Sequence, residues 1–159
     1  MHPNVDRVRA AALEAGLEID VRRFPEGTRT AEDAARAIGC SVAQIVKSLV
    51  FMADGQPILA LVSGANRVDM VHLAVATGAA EVRRASGDEA RAAGGYAIGG
   101  VPPFGHAQPL TVLVDRDLLA HEVLWAAAGL PDAVFALSPH DLVRASGGRV
   151  VELAEALPG

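Results

Sequence analysis

The chain of 159 residues contains one cysteine and no long apolar run. The single Cys40 excludes an internal disulfide and any zinc site built from several cysteines, and we expect a small buried side chain there. A helix that crosses a bilayer needs about 20 predominantly apolar residues, and the aliphatic runs of this chain are far shorter. The first residues carry no basic segment followed by an apolar one, so we expect no secretion signal and a cytoplasmic protein.

Excess positive charge is also missing, because the formal net charge is −5 at pH 7. This balance argues against a protein that binds DNA or RNA along a long basic face, and it leaves contact with one end of an RNA open. The five histidines are scattered, with no HExxH motif and no pair four residues apart on a predicted helix. We therefore predict no metal site.

Lysine is the scarcest cation, since Lys47 is alone beside thirteen arginines. Such abundance of Ala, Gly, Val and Arg is typical of GC-rich codons, under which arginine replaces lysine wherever any cation suffices. A lysine is ordinarily a solvent-exposed surface residue. Lys47, however, marks a position where arginine does not suffice, because an ammonium is compact and lowers its pKa when desolvated. It is therefore our candidate catalytic residue.

The apolar fraction of 51% is enough to bury one core, so we expect a single domain over residues 1–159. The patterns predict helices over residues 4–17, 31–38, 68–77, 87–93 and after Ser138, and strands over 19–24, 45–53, 57–63, 81–84, 110–114, 123–126, 134–137 and 150–153. Helices and strands mix without a strict βαβ repeat. The expected fold class is α/β (α+β), a mixed sheet with helices packed around it.

Lys47 falls on the first strand of the strongest hairpin signal, in which the Asp54-Gly55 pair joins the strands 45–53 and 57–63. Alternation places it on the same face as Ile45, Leu49 and Phe51. If that face is buried, the ammonium enters a largely apolar cleft.

A loop rich in Gly and Pro follows over residues 94–106. Taken alone, it is as much a turn without function as a binding loop. His106 has two open roles, orientation of a substrate or a hydrogen bond to the backbone. Thr30 is first an N-cap, and Asp115 is expected to cap the turn after its strand.

Three stretches in this order and spacing resemble one family. They are Thr30 to Ala35 leading to Lys47-Ser48-Leu49, then Gly95-Tyr96 through Gly99-Gly100-Val101-Pro102-Pro103-Phe104-Gly105-His106, then Ser138-Pro139-His140-Asp141-Leu142. They are similar to the YbaK family and to the related editing domain inserted in bacterial prolyl-tRNA synthetases. The resemblance extends from about Arg22 to Leu153, and it implies the fold of that family, with a partly barrel-like sheet.

The resemblance implies an aminoacyl-tRNA deacylase that acts in trans on mischarged tRNA, with tRNA(Pro) carrying Ala, Cys, Ser, Thr or 2-aminobutyrate as the expected substrate. It implies no cofactor. The expected partners are the acceptor end of an aminoacyl-tRNA and, as a candidate, a prolyl-tRNA synthetase. Residues 28–30 and 62–67 look most like a stand-alone subgroup, which leaves the amino acid open. A non-catalytic module that binds aminoacyl-tRNA or a synthetase is the alternative, and hydrolysis of a small aminoacyl adenylate or ester is a third.

The family's lysine corresponds to Lys47, and its Gly-x-x-x-Pro substrate loop corresponds to residues 99–103. Glycine lets backbone N–H groups approach a substrate closely, because no Cβ intervenes. The expected substrate-binding residues are Gly99, Gly100, Val101, Pro102, Pro103, His106, Thr30, Asn66 and Arg67.

Overall fold

The computed structural model describes residues 2–24 and 30–156. These residues form five α-helices: α1 (Pro3–Glu14), α2 (Ala31–Ile38), α3 (Met70–Thr77), α4 (Gly87–Gly94) and α5 (Pro139–Ser146). They also form eight strands: β1 (Arg22–Arg23), β2 (Val46–Ala53), β3 (Gln56–Ser63), β4 (Val82–Arg84), β5 (Thr111–Asp115), β6 (Leu124–Ala127), β7 (Ala133–Leu137) and β8 (Arg149–Val151). Short 3-10 turns, Val42–Gln44 and Arg116–Ala120, precede β2 and follow β5. No helix in the described ranges is long and apolar enough to cross a membrane.

The strands form two sheets. The larger has the order β4-β2-β3-β5-β8, with antiparallel pairs at the β2 end and parallel pairs from β3 to β8. The smaller has the order β1-β7-β6 and is antiparallel. An isolated parallel bridge between Ile45 and Trp125 connects them. The predicted mixed sheet is confirmed, and its barrel-like character takes the form of two open sheets joined at this bridge.

The main core lies between the two sheets. Val46, Leu59 and Val114 of the large sheet and Phe135 of the small sheet belong to the same buried cluster, which α1 covers with Val5, Val8 and Ala12. The opposite face of the large sheet packs Phe51, Ala60 and Leu113 against Leu73 of α3. The large sheet is thus buried on both faces.

Local sequence signals explain several boundaries. Asp54 and Gly55 both have positive φ, 47° and 79°, as a two-residue hairpin turn requires. The Thr30 hydroxyl accepts the Asp33 N–H at 3.0 Å and begins α2, and Gly39 ends it in the left-handed region at φ 87°. These predicted elements are confirmed.

Other predicted boundaries were wrong. The strand expected over residues 19–24 is reduced to β1, because only Arg22 and Arg23 find partners on β7. The helix expected to begin at Val68 begins at Met70, since the Asp69 carboxylate caps it by accepting from the N–H groups of Val71 and His72. The last strand is β8 and stops at Val151, where its parallel pairing with β5 ends.

Candidate active site

A cleft lies beside β2 on the side away from β3. Within the described residues β4 pairs with β2 only from Phe51 to Ala53, so the first half of β2 has an uncovered edge. The cleft has a volume of about 260 Å³. Its walls come from α2, β2, α4, the loop 98–101, β6 and β7. Six alanines line it: Ala31, Ala34, Ala85, Ala90, Ala126 and Ala127.

Lys47 lines this cleft and is half-buried. Ile45, Leu49 and Val50 of the same strand segment also line the cleft, so the expected apolar surroundings are present. The ammonium Nζ donates to the backbone carbonyl of Asn66 at 2.5 Å. Burial lowers the pKa of Lys47, the charges of Glu32 and Asp115 raise it, and those of Arg84 and Arg67 lower it.

Ser48 turns its backbone toward the uncovered edge of β2. The Gly64 N–H donates to the Ile45 carbonyl at 2.7 Å, and in an antiparallel ladder alternate residues point to opposite sides, so the N–H and C=O of Ser48 point away from β3. The Ala85 N–H reaches the Val50 carbonyl from that side. The Ser48 hydroxyl is buried and has no hydrogen-bond partner among the described residues. Ser48 therefore brings a hydroxyl that is unpaired among the described residues to the cleft.

Asn66 and Asp115 form a partly buried network next to Lys47. The Asn66 amide nitrogen donates to Asp115 Oδ2 and to Asp117 Oδ2, both at 2.8 Å. Asp115 is 1% exposed and also accepts the backbone N–H groups of Ser63 and Asp117. Its predicted capping of the turn is confirmed by the bond from Asp117, whereas the link to Asn66 was not predicted.

The loop 98–101 forms one wall of the cleft, with Gly99 and Val101 among the lining residues. Gly99 has φ 92°, a conformation that glycine adopts without strain. A Cβ on Gly100 would lie 3.0 Å from the Leu130 Cα and 3.1 Å from the Gly129 carbonyl oxygen, so even a methyl group there requires the backbone to shift. The Gly100 N–H donates to the Ala97 carbonyl and shapes the loop itself.

His106 contacts the end of this loop on the side away from the Lys47 cleft. Its Nε2 lies 2.9 Å from the Pro102 carbonyl oxygen, and its ring meets the Tyr96 ring edge-on at 5.6 Å. Burial lowers the pKa of His106. Of its two open roles, the backbone hydrogen bond is present. The ring borders a second hollow with Pro103 and Phe104, away from the Lys47 cleft.

Comparison with known families decides the identity of the fold. The family model described as aminoacyl-tRNA editing domain matches residues 25–145. The chain belongs to this family. The editing domain thus includes β2, α4, the loop 98–101 and β6, which form most of the cleft wall.

Individual relatives agree with this assignment. The editing domain is 33% identical over 90% of its length to the uncharacterized protein YwhH of Bacillus subtilis (strain 168), covering 91% of that protein. It is 36% identical over 70% of its length to the proline–tRNA ligase of Xanthomonas oryzae pv. oryzae (strain MAFF 311018), covering 19% of that enzyme. A crystal structure described as "a putative trans-editing enzyme for prolyl tRNA synthetase" superimposes with a TM-score of 0.93 and 42% identity, over 98% of this chain and 99% of that one.

The cleft of the editing domain brings together some of the predicted site residues. Lys47, Thr30, Gly99 and Val101 line it. The predicted residues outside its lining are Gly100, Pro102, Pro103, His106, Asn66 and Arg67. Thr28 and Arg29, which precede Thr30 in one of the resembling stretches, lie outside the described residues. The substrate-binding roles of all these residues stay predictions.

Two arginines at the cleft were not predicted from the sequence as site residues. Arg84 lines the cleft, with its guanidinium carbon 5.6 Å from the centre of the Phe51 ring. Arg22 covers Trp125, another lining residue, at 5.0 Å from its ring centre. Each belongs to a pair of consecutive arginines, Arg22-Arg23 or Arg83-Arg84. This pairing is the sequence feature that could have indicated a cationic site. They add positive charge at the cleft of a chain that is negative as a whole.

The chemistry open to this cleft follows from its polar groups. Among the described lining residues there is no carboxylate and no imidazole. The Lys47 ammonium carries three donors, of which one bonds to Asn66, so two remain for a ligand. The cleft is therefore suited to binding and polarising a carbonyl or phosphate oxygen, without a side-chain general base.

Proposed function

We propose that this editing domain hydrolyses the ester that joins a small amino acid to the 3′ end of tRNA(Pro), acting in trans on Ala, Cys, Ser, Thr or 2-aminobutyrate. The observation that carries the proposal is the position of Lys47, the only lysine of the chain, in a small cleft with alanine-rich walls. Similarity to proline–tRNA ligases and to the prolyl trans-editing structure supports proline tRNA as the carrier.

The cleft wall suits a second sieve for small amino acids. A synthetase discriminates one methylene by only about 1–3 kcal/mol, so small competitors are charged in error. A separate hydrolytic site must accept these and exclude the correct amino acid. Six alanines at the wall leave room for a short side chain, and Ile45, Val50 and Val134 offer it apolar contact.

The reaction needs few side chains because an aminoacyl ester is already reactive. Lys47 binds the ester carbonyl oxygen or the terminal phosphate with its two remaining donors and stabilises the negative charge that develops on attack. Water adds to the carbonyl carbon, and the bond to the ribose oxygen breaks. Because no carboxylate or imidazole lines the described cleft, a ribose hydroxyl of the tRNA assists the water, as the family resemblance implies. The products are the free amino acid and uncharged tRNA.

The acceptor end of the tRNA fits the charges at the cleft. Arg84 lines the cleft and Arg22 covers its Trp125, and arginine binds phosphate well, which supports contacts from both to the nucleotides next to the ester. A prolyl-tRNA synthetase is the candidate partner that would deliver the substrate. We place the action in the cytoplasm, where aminoacyl-tRNA is made, and we assign the whole chain to this one activity without a metal or cofactor.

A non-catalytic module that captures aminoacyl-tRNA is the second candidate. The observation in its favour is the lack of a general base in the described cleft lining. A deacylation assay separates the two, with a panel of proline, alanine and threonine tRNAs carrying correct and incorrect amino acids. Turnover of at least one mischarged tRNA is expected, and binding without turnover of any member would establish the module instead. Equal activity on a free aminoacyl ester would point to a substrate outside translation.

A further inference from the structure

The turn that follows β3 is held in place at several points. The Gly64 N–H donates to the Ile45 carbonyl at 2.7 Å, and the Ser63 hydroxyl donates to the Ala43 carbonyl at 2.8 Å. The Asn66 N–H closes the turn on the Ser63 carbonyl at 2.9 Å. A Cβ on Gly64 would lie 2.4 Å from the Val42 carbonyl oxygen, so the turn is packed directly on the segment before β2.

Both side-chain amide hydrogens of Asn66 are used in hydrogen bonds to carboxylates. Its amide nitrogen donates to Asp115 and to Asp117, at 2.8 Å each, and an asparagine amide has only two hydrogens. The carboxylate of Asp115 is fixed in turn by the backbone N–H groups of Ser63 and Asp117. The Asn66 side chain therefore has no hydrogen left to donate to a substrate, although the sequence suggested it as a substrate ligand.

The backbone carbonyl of the same residue is the acceptor for Lys47, at 2.5 Å from Nζ. We propose that Asn66 is a positioning residue: the carboxylates of Asp115 and Asp117 hold its amide, the amide fixes its backbone carbonyl, and that carbonyl sets the direction of the two remaining Lys47 donors. This inference deepens the proposed function, because it assigns a cause to the orientation of the lysine in that same site.

The charged groups around Lys47 show why such a fixed acceptor matters. Glu32 from α2 and Asp115 from the end of β5 favour the ammonium, whereas Arg84 from β4, Arg67 beside Asn66 and burial disfavour it. A neutral carbonyl at 2.5 Å favours the charged form without neutralising it. The ammonium thereby has one fixed acceptor and keeps two donors that can attract a substrate oxygen.

Because Lys47 is the only lysine, its pKa can be measured in isolation. In protein grown with lysine labelled at the ε carbon, one side-chain signal titrates, and this readout is independent of any enzymatic activity. In Asn66→Ala we expect that signal to titrate at lower pH than in the wild type, because the ammonium loses the fixed acceptor. We expect kcat for a mischarged tRNA to fall roughly tenfold to a hundredfold, with a much smaller change in KM.

Two companion variants make the experiment decisive. Asp117→Ala, at an exposed position, removes one of the two acceptors of the amide. It should lower the Lys47 pKa by less than Asn66→Ala does. This variant keeps the inference testable if Asn66→Ala does not fold. Arg116→Ala is the matched control on the same turn, since Arg116 pairs with Glu152, and it should change neither quantity.

Unchanged titration of Lys47 in both Asn66→Ala and Asp117→Ala would overturn the inference. A rise in KM at constant kcat would also overturn it, because Asn66 would then be a substrate ligand. A wild-type protein that hydrolyses no tRNA, but whose Lys47 signal still shifts in Asn66→Ala, would refute the proposed function and leave the positioning role standing.

Discussion

The guanidinium of Arg22 lies 5.0 Å from the centre of the Trp125 ring, and Trp125 lines the cleft. This contact joins β1 to β6 across β7 and places a cation beside the cleft. An arginine over an aromatic ring keeps its charge and its in-plane N–H donors for other partners. Under the proposed function, we therefore infer that Arg22 contacts a phosphate of the tRNA acceptor end.

Arg22→Ala should weaken tRNA binding more than chemistry. We expect KM to rise with little change in kcat, and the slope of log affinity against log salt to fall by about 0.7 for the loss of one contact to single-stranded nucleic acid. Salt titrations of binding measure this slope. Arg149→Ala is the control, because β8 lies at the opposite edge of the large sheet from β4. The same slope in Arg22→Ala and wild type would exclude a phosphate contact.

Replacement of Lys47 should remove hydrolysis without unfolding the chain. Lys47→Ala should lower kcat/KM by about a hundredfold or more, the scale found when a donor to a developing oxyanion is lost. Lys47→Arg keeps the charge, yet its planar fork does not reproduce the ammonium geometry at the Asn66 carbonyl, so we expect it to fail as well. Single-turnover deacylation and thermal unfolding are the measurements. Wild-type rates in Lys47→Arg would show that any cation serves.

Activity should decline as pH rises through the lowered pKa of Lys47, because the neutral amine no longer stabilises negative charge. This alkaline limb should lie below the pH of about 10.4 at which an exposed lysine titrates. Arg84→Ala removes a neighbouring cation and should move the limb to higher pH, whereas Glu32→Gln removes an anion and should move it to lower pH. Profiles of kcat/KM against pH for the wild type and both variants test the direction of each shift. Opposite or absent shifts would assign the limb to another group.

Gly100→Ala should impair the cleft, because the added Cβ meets the backbone of Gly129 and Leu130 at 3.0 to 3.1 Å. The loop 98–101 or the backbone of residues 129–130 must then shift by a few tenths of an ångström, and we expect a loss of roughly tenfold in rate. Gly87→Ala is the matched control, since its Cβ finds its nearest neighbour, the Ile98 Cδ1, at 3.9 Å. Deacylation rates of both variants decide the matter. Equal activities would mean that the loop tolerates the shift.

Ala90→Val should narrow the range of accepted amino acids. Ala90 lines the cleft and is 3% exposed, so two added methyl groups project into limited space. Hydrolysis of 2-aminobutyryl-tRNA should fall about tenfold or more relative to alanyl-tRNA, in line with about 1–3 kcal/mol per methylene. Competition assays with the two substrates measure the ratio. An unchanged ratio would place the amino acid side chain at another wall.

The elements that local chemistry specifies were predictable from the sequence. The Asp54-Gly55 turn fixes the β2–β3 hairpin, and Thr30 and Gly39 fix the ends of α2. Lys47 was found because it is unique in the composition. The link from Asn66 to Asp115 was not predictable, because it joins residues 49 apart in the chain and depends on the parallel pairing of β3 with β5. The arginine-aromatic contacts were missed for the same reason.

The two sheets contribute opposite walls of the cleft, Val46 to Val50 from one and Trp125 to Ala127 from the other, and an isolated bridge at Ile45 and Trp125 connects them. The gap between the walls is therefore governed by the spacing of the sheets as well as by the side chains that face it. Buried side chains of the two sheets, such as Val46, Leu59 and Phe135, pack in one cluster and set this spacing. The width of the cleft can thus change through substitutions at positions that do not line it.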